Sequence, residues 1–270
     1  MSSKKQMSVI PLKDFCPTDV VFTKKMASQT TGRYFCFVNS VSGSSKWLLQ
    51  TPVMLAPFGV SQGPESGNDN KPNGGDMKLT LSFGGDDPEL EMCRQKLTEF
   101  QEFVLQYAVD NSQEWFGKPM TREVVESMYF PNIRKDPKMQ WADNFTVKIP
   151  SSMHDGKVQL DKLYSWDPDS DTPSMTEIPP DEILQHIVRR TRVQVIFTLS
   201  QVYFTGSRGF GVSLKAHVVR FVPQSSQSDI SFLDSTPVTI TTAPTDASLD
   251  CDSDDTDDED ENEKGDEDAL

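Results

Sequence analysis

The chain has 270 residues, 36% of them hydrophobic, and a net charge of −15, which suits one well-filled core with peripheral segments rather than two large domains. No apolar run approaches the length of a membrane-crossing helix, and the opening MSSKKQMSVIPLKDF holds no stretch suited to the core of a secretory signal. Neither membrane insertion nor export is expected. The charge is concentrated: residues 246 to 270 carry 14 acidic side chains against Lys264, a net −13, which leaves residues 1 to 245 at −2. A nearly neutral body can hold a basic groove even in an acidic protein.

In chain order, an N-terminal arm over 1–17 precedes three extended runs, DVVFTKKM, GRYFCFVNS and KWLLQTPVMLAPFGV, separated by Ser, Gly and Thr. They are predicted as consecutive antiparallel strands, the third bent or at an edge because of Pro52 and Pro57. Residues 61–76, rich in Gly, Pro, Asn and Asp, are predicted as a long loop. In MKLTLSF the alternation buries Met77, Leu79, Leu81 and Phe83 and turns Lys78, Thr80 and Ser82 to the other face.

Asp-Pro opens a predicted helix over 87–109, with Leu90, Cys93, Leu97, Phe100, Val104 and Ala108 at intervals of three and four. Shorter helices are expected near 111–117 and 121–129, ended by Pro131. WADNFTVKIP reads as a strand, 151–182 as turns with short apolar pieces, and 192–222 as a β-hairpin turning at GSRGFG. From residue 224 the chain is Ser, Thr and Asp-rich and then plainly acidic, so 224–270 is predicted as a disordered linker and tail.

Cys16, Cys36, Cys93 and Cys251 are widely spaced, with no paired-cysteine motif and no histidine at zinc-ligand spacing, so reduced thiols in an intracellular setting and no metal or other cofactor are expected. There is no G-x-S-x-G, no phosphate-binding G-x-x-x-x-G-K-[ST] and no paired histidine motif, and His154, His186 and His217 are scattered, which argues against an enzyme. The glycines of the hairpin turn are explained by turn geometry, and DSDDTDDEDENE lacks the glycine and spacing of a calcium loop.

Cations and aromatic side chains recur in the same strands. Lys24 and Lys25 end the first run; Arg33, Tyr34, Phe35 and Phe37 lie in the second; Lys46 and Trp47 open the third. Lys78 lies on the polar face of its strand, and the hairpin adds Tyr203, Phe204, Arg208, Phe210 and Lys215. Phosphates need the first kind of side chain and stacked bases the second, which makes this set the candidate nucleic-acid-binding residues. In the second run Arg33, Phe35 and Phe37 share one face and Tyr34 and Cys36 the other, and the pattern leaves open which of them is core. Arg208, between two glycines of a turn, has no core role to fill. Trp115, Trp141 and Trp166 are expected to be packing residues.

The order of elements fits a mainly β fold with a helical insertion (α+β): a five-stranded Greek-key barrel with a capping helix and a C-terminal β-hairpin. LLQTPVMLAPFGV, DNSQEWFGKPMTREVVESMYFPNI and VYFTGSRGFGVSLKAHVV resemble the single-stranded-DNA-binding proteins of large eukaryotic double-stranded DNA viruses, which have an oligonucleotide-binding (OB) fold. The resemblance implies an OB-fold single-strand-binding domain over 18–223, with its helical insertion at about 87–130. It also implies a non-catalytic protein that coats single-stranded DNA without sequence preference during viral replication, recombination and repair. Its site would be the host nucleus or a cytoplasmic replication site, and Leu270 stands where the acidic tails of such proteins often close on an aromatic residue. The charge asymmetry by itself suggests that the tail lies in the protein's own basic groove until a strand displaces it, and then meets replication proteins. The helical insertion caps the barrel or mediates self-association, two roles the pattern leaves open. The rival reading is a non-enzymatic protein-interaction or chaperone-like module whose acidic tail binds basic partners.

Overall fold

The computed structural model describes residues 9–29, 31–41, 47–62, 77–152, 156–168 and 174–224. These all lie in one compact unit, Met1–Gln227; the second unit, Ser228–Leu270, with the predicted tail and Cys251, lies outside the described residues.

The strands are β1 Val9–Pro11, β2 Val20–Phe22, β3 Met26–Ala27, β4 Tyr34–Ser40, β5 Leu48–Gln50, β6 Met54–Ala56, β7 Val60–Gln62 and β8 Met77–Ser82. Helices α1 Pro88–Asp110, α2 Ser112–Phe116 and α3 Arg122–Met128 follow. Then come β9 Tyr129–Phe130, β10 Ile133–Arg134, β11 Asn144–Ile149, β12 Lys162–Trp166, β13 Met175–Ile178, α4 Ile183–His186, β14 Thr191–Phe204 and β15 Phe210–Phe221.

Five of these strands close on themselves. β14 pairs with β6, β6 with β8, β8 with β11, β11 with β15, and β15 returns to β14. Counted in chain order around that ring the strands run 1-2-3-5-4, the order of the OB barrel, and closure leaves the ring without a free edge. The helical insertion falls between the second and third ring strands. β4 and β5 add to β14 beside β6, so the long fourth ring strand pairs with three upstream segments along one edge.

Local chemistry explains the elements. β8 alternates as its sequence demands, with Met77, Leu79, Leu81 and Phe83 buried. The third extended run is broken by Pro52 and Pro57 into β5, β6 and β7, since proline cannot donate to a ladder. The start of the predicted 61–76 loop, Ser61 and Gln62, belongs to β7 instead; the remainder of that loop is outside the described residues. Within 151–182, β12 and β13 form an antiparallel pair that weak local patterning does not announce.

α1 begins at Pro88, where the Asp87 carboxylate accepts from the Glu89 N–H at 2.8 Å and caps the first turn. Its expected stripe is buried, and Leu105 joins it. That stripe meets the segment before β4: Phe100 lies 5.8 Å from Phe15, and Tyr107 4.6 Å from Phe22. Gly117 ends α2 at φ 80, the left-handed conformation glycine adopts without penalty.

Candidate nucleic-acid interface

β4 resolves the ambiguity of its alternating aromatics. Cys36 and Val38 are in the core, so Arg33, Phe35 and Phe37 belong to the outer face. Phe35 and Phe37 meet edge-on at 5.0 Å, and Phe37 remains 42% exposed. Tyr34, on the inward parity, is exposed because it begins the strand, where its ring receives the Lys25 ammonium at 4.7 Å.

In β14 a bulge between Leu199 and Gln201 reverses the alternation. Upstream, Val193, Val195, Phe197 and Leu199 are buried; downstream, Val202 and Phe204 are buried and Gln201 and Tyr203 face outward. Tyr203 is thereby set opposite Phe35 and Gln201 opposite Phe37. On its other side Tyr203 faces Gly211. A Cβ there would lie 2.8 Å from the Tyr203 hydroxyl oxygen, so only glycine lets the ring lie flat against the sheet. Phe130 stacks beside it, 6.5 Å away with planes 10° apart, and is itself 41% exposed.

Beside this aromatic cluster three lysines lie in register across three adjacent strands. Lys78 of β8 is opposite Lys148 of β11, and Lys148 is opposite Lys215 of β15. Lys148 also reaches over the Tyr203 ring, 5.8 Å from its centre. Arg134, opposite Asn144 in β10, is close enough to Tyr203 for its charge to act on the phenol. Burial raises the Tyr203 pKa and Arg134 opposes that shift, so the ring is neutral across physiological pH. Like charges directly opposite in a sheet are destabilising.

Several of the sequence-predicted residues are placed elsewhere. Phe204 and Phe210 are not stacking platforms: they are buried, face each other across the hairpin, and plug the end of the barrel under Trp115, at 5.4 and 6.0 Å from its ring. Trp47 is likewise core, 8% exposed, edge-on to Phe15 at 5.3 Å, with its indole N–H donating to the Asn39 carbonyl. Lys25 is engaged within the fold. It donates to the Trp115 carbonyl and lies over the Tyr34 and Phe204 rings, a cation used to close the same barrel end.

Lys24, Arg33 and Arg208 are exposed, Arg208 in the hairpin tip, whose Gly209 packs so closely on Met128 that a Cβ would meet its carbonyl oxygen. Lys46 lies outside the described residues. The tryptophans invert the expectation in part. Trp115 is core, but Trp141 is 77% exposed and Trp166 is half-buried under the Arg220 guanidinium.

Lys148, Phe130 and Arg134 complete the surface and were not singled out by sequence. The alternation of NFTVKI, with Phe145, Val147 and Ile149 buried, was the available signal for Lys148. For Phe130 and Arg134, in two-residue strands, no local pattern was available. Among the described residues no group of His, Cys, Asp and Glu is arranged to hold a metal ion, and no helix is long and apolar enough to cross a membrane.

No protein-family model and no curated protein matches the chain. Among solved structures it is similar to gp2.5, a single-stranded DNA binding protein encoded by bacteriophage T7, at 15% identity and a TM-score of 0.40, over 70% of this chain and 97% of that one. It is also similar to the single-stranded DNA-binding protein from bacteriophage Enc34 in complex with single-stranded DNA, at 12% identity and a TM-score of 0.40, over 76% and 96% of the two chains. A C-terminal truncation of the Enc34 protein gives 11% identity and a TM-score of 0.38, over 78% and 98%.

Proposed function

We propose that this protein binds and coats single-stranded DNA largely without sequence preference. The observation that carries the reading is the Lys78–Lys148–Lys215 row flanked by Phe35, Phe37, Phe130 and Tyr203 on the outer face of the barrel. The lysines would take phosphates, and the rings would stack bases of any identity. The row spans the second, third and fifth strands of the ring, and OB barrels carry oligonucleotides on the face of the second and third. No step of covalent chemistry is required of these residues.

The finer reading is a replication, recombination and repair accessory of a large eukaryotic DNA virus, working in the host nucleus or at a cytoplasmic replication site. The −13 carried by residues 246–270 supports a second role for the tail. It would compete with the strand for the lysine row and, once displaced, meet basic surfaces of replication proteins.

Titration of the full chain and of a chain ending at Thr245 with oligo-dT, followed by tryptophan fluorescence and gel shift, tests both parts. Binding that weakens steeply with salt is expected for each, tighter in the shortened chain. Absence of binding by the shortened chain at low salt would refute the coating reading, and equal affinities would refute the competition.

A further inference from the structure

The outer face of the β14–β15 hairpin does not end at the lysine row. Beyond Thr198 and Lys215 it continues through the pair Ile196 and Val218 to the pair Gln194 and Arg220. β12 lies alongside and sets Tyr164 opposite Arg220, and β5 sets Gln50 opposite Ile196. These side chains line a recess of about 190 Å³, room for about six waters and of the scale of one nucleobase.

Arg220 is held flat at its margin. Its guanidinium carbon is 3.7 Å from the centre of the Trp166 ring, its Nε donates to the Gln194 side-chain oxygen at 2.6 Å, and one terminal nitrogen meets the Met175 sulfur at 3.8 Å. Burial lowers its pKa, and among the described residues no carboxylate pairs with it. A guanidinium partly withdrawn from water, oriented by an aromatic plane and an amide, with N–H donors to spare, is suited to a phosphate. The recess beside it offers apolar walls from Tyr164, Ile196 and Val218 for a flat ring, with the amides of Gln50 and Gln194 at its edges.

We infer that this recess is a second nucleotide subsite, in which Arg220 takes a phosphate and the cavity takes the adjoining base. It rests on the single-strand reading and extends it. The strand would run along the hairpin from the Tyr203 cluster, over the lysine row, to Arg220. From Tyr203 to Gln194 that path is nine residues of β14, about 30 Å, so only an oligonucleotide long enough to span it reaches both ends.

The test is a dT length series, from about 4 to about 16 nucleotides, titrated against the full chain and its Arg220→Gln and Met175→Glu variants. Wild type is expected to gain affinity with length. Both variants should bind the shortest oligonucleotides as wild type does and lose about tenfold on the longest, with the salt slope for Arg220→Gln reduced by about 0.7. Met175 is 55% exposed, so a carboxylate placed there opposes a phosphate at Arg220 without disturbing the core. It decides the matter if Arg220→Gln melts early. Length profiles of Met175→Glu and wild type that superimpose would overturn the subsite. Wild-type protein that binds no oligo-dT of any length would overturn the coating reading itself, and the subsite with it.

Discussion

Replacing Lys148 with Gln separates a binding role from a structural one, because the first predicts lost affinity at unchanged stability and the second lost stability. Lys148 has a lysine opposite it on each side. Two unit charges about 6 Å apart in water repel by about 0.7 kcal/mol, less in salt. Removing the middle charge therefore relieves up to about 1 kcal/mol of repulsion after screening. Against this stand the loss of its contact with the Tyr203 ring, about 0.5 kcal/mol at an exposed site, and of its other side-chain interaction, worth about as much at a surface.

The free Lys148→Gln protein should therefore melt within about 2 °C of the wild-type temperature at low salt. The difference should vanish as salt rises. Single-strand binding should fall, with about a tenfold loss at about 50 mM salt and a salt slope shallower by about 0.7, the share of one phosphate. Calorimetric melting and fluorescence titration at four salt concentrations measure both. A variant that melts clearly below wild type yet keeps the wild-type salt slope would show Lys148 to be a structural residue and refute the reasoning.

Phe37→Ala and Tyr203→Ala should each weaken oligo-dT binding by about 5- to 150-fold, the range for a lost stacking platform; Phe37→Ala, on an exposed side chain, should leave the melting temperature within about 2 °C. Phe210→Ala should do the reverse, costing about 3–5 kcal/mol of stability in denaturant titrations, because Phe210 is fully buried against Trp115 and Tyr129. Burial pushes the Cys36 thiol up to about 11 and the Cys93 thiol to about 12. Both are neutral in the fold while an unfolded thiol ionises near pH 9, so their contribution is complete below pH 9. It is lost as pH rises towards 11–12, at about 1.4 kcal/mol per pH unit per thiol. Melting temperatures measured from pH 8 to 11 should fall over that interval, less steeply in Cys93→Ala.

What the sequence revealed depended on how local the signal was. MKLTLSF and the α1 stripe were legible because alternation and helical spacing are properties of a few consecutive residues. The candidate surface is a product of register, which is not local. Lys78, Lys148 and Lys215 are far apart in the chain and meet only through two strand pairings. The β14 bulge explains the misplacement of the hairpin aromatics. Alternation continued unbroken from Phe197 would put Tyr203 in the core and Phe204 outside, whereas one inserted residue exchanges them. Lys25 and Trp47 misled for a different reason. Charge and ring size suggested solvent and ligand, but Trp47 fills the core beside Phe15, and Lys25, on a carbonyl and two rings, helps to plug the open end of the barrel.

The placement of β14 and β15 late in the chain governs the order in which the protein can assemble. β14 is the partner of β4, β5 and β6, and its Gln194 amide reaches back across 143 residues to the Thr51 carbonyl. Until both strands of the hairpin have emerged from the ribosome the ring cannot close, and the N-terminal strands wait with their edges unpaired. Folding dominated by such distant contacts is slow and exposes the chain to aggregation in the interval. Lys215 and Tyr203 arrive with that same hairpin, so an incomplete chain lacks one end of the lysine row and the central ring of the aromatic cluster. Competence to engage a nucleic acid would therefore appear only when the barrel is finished.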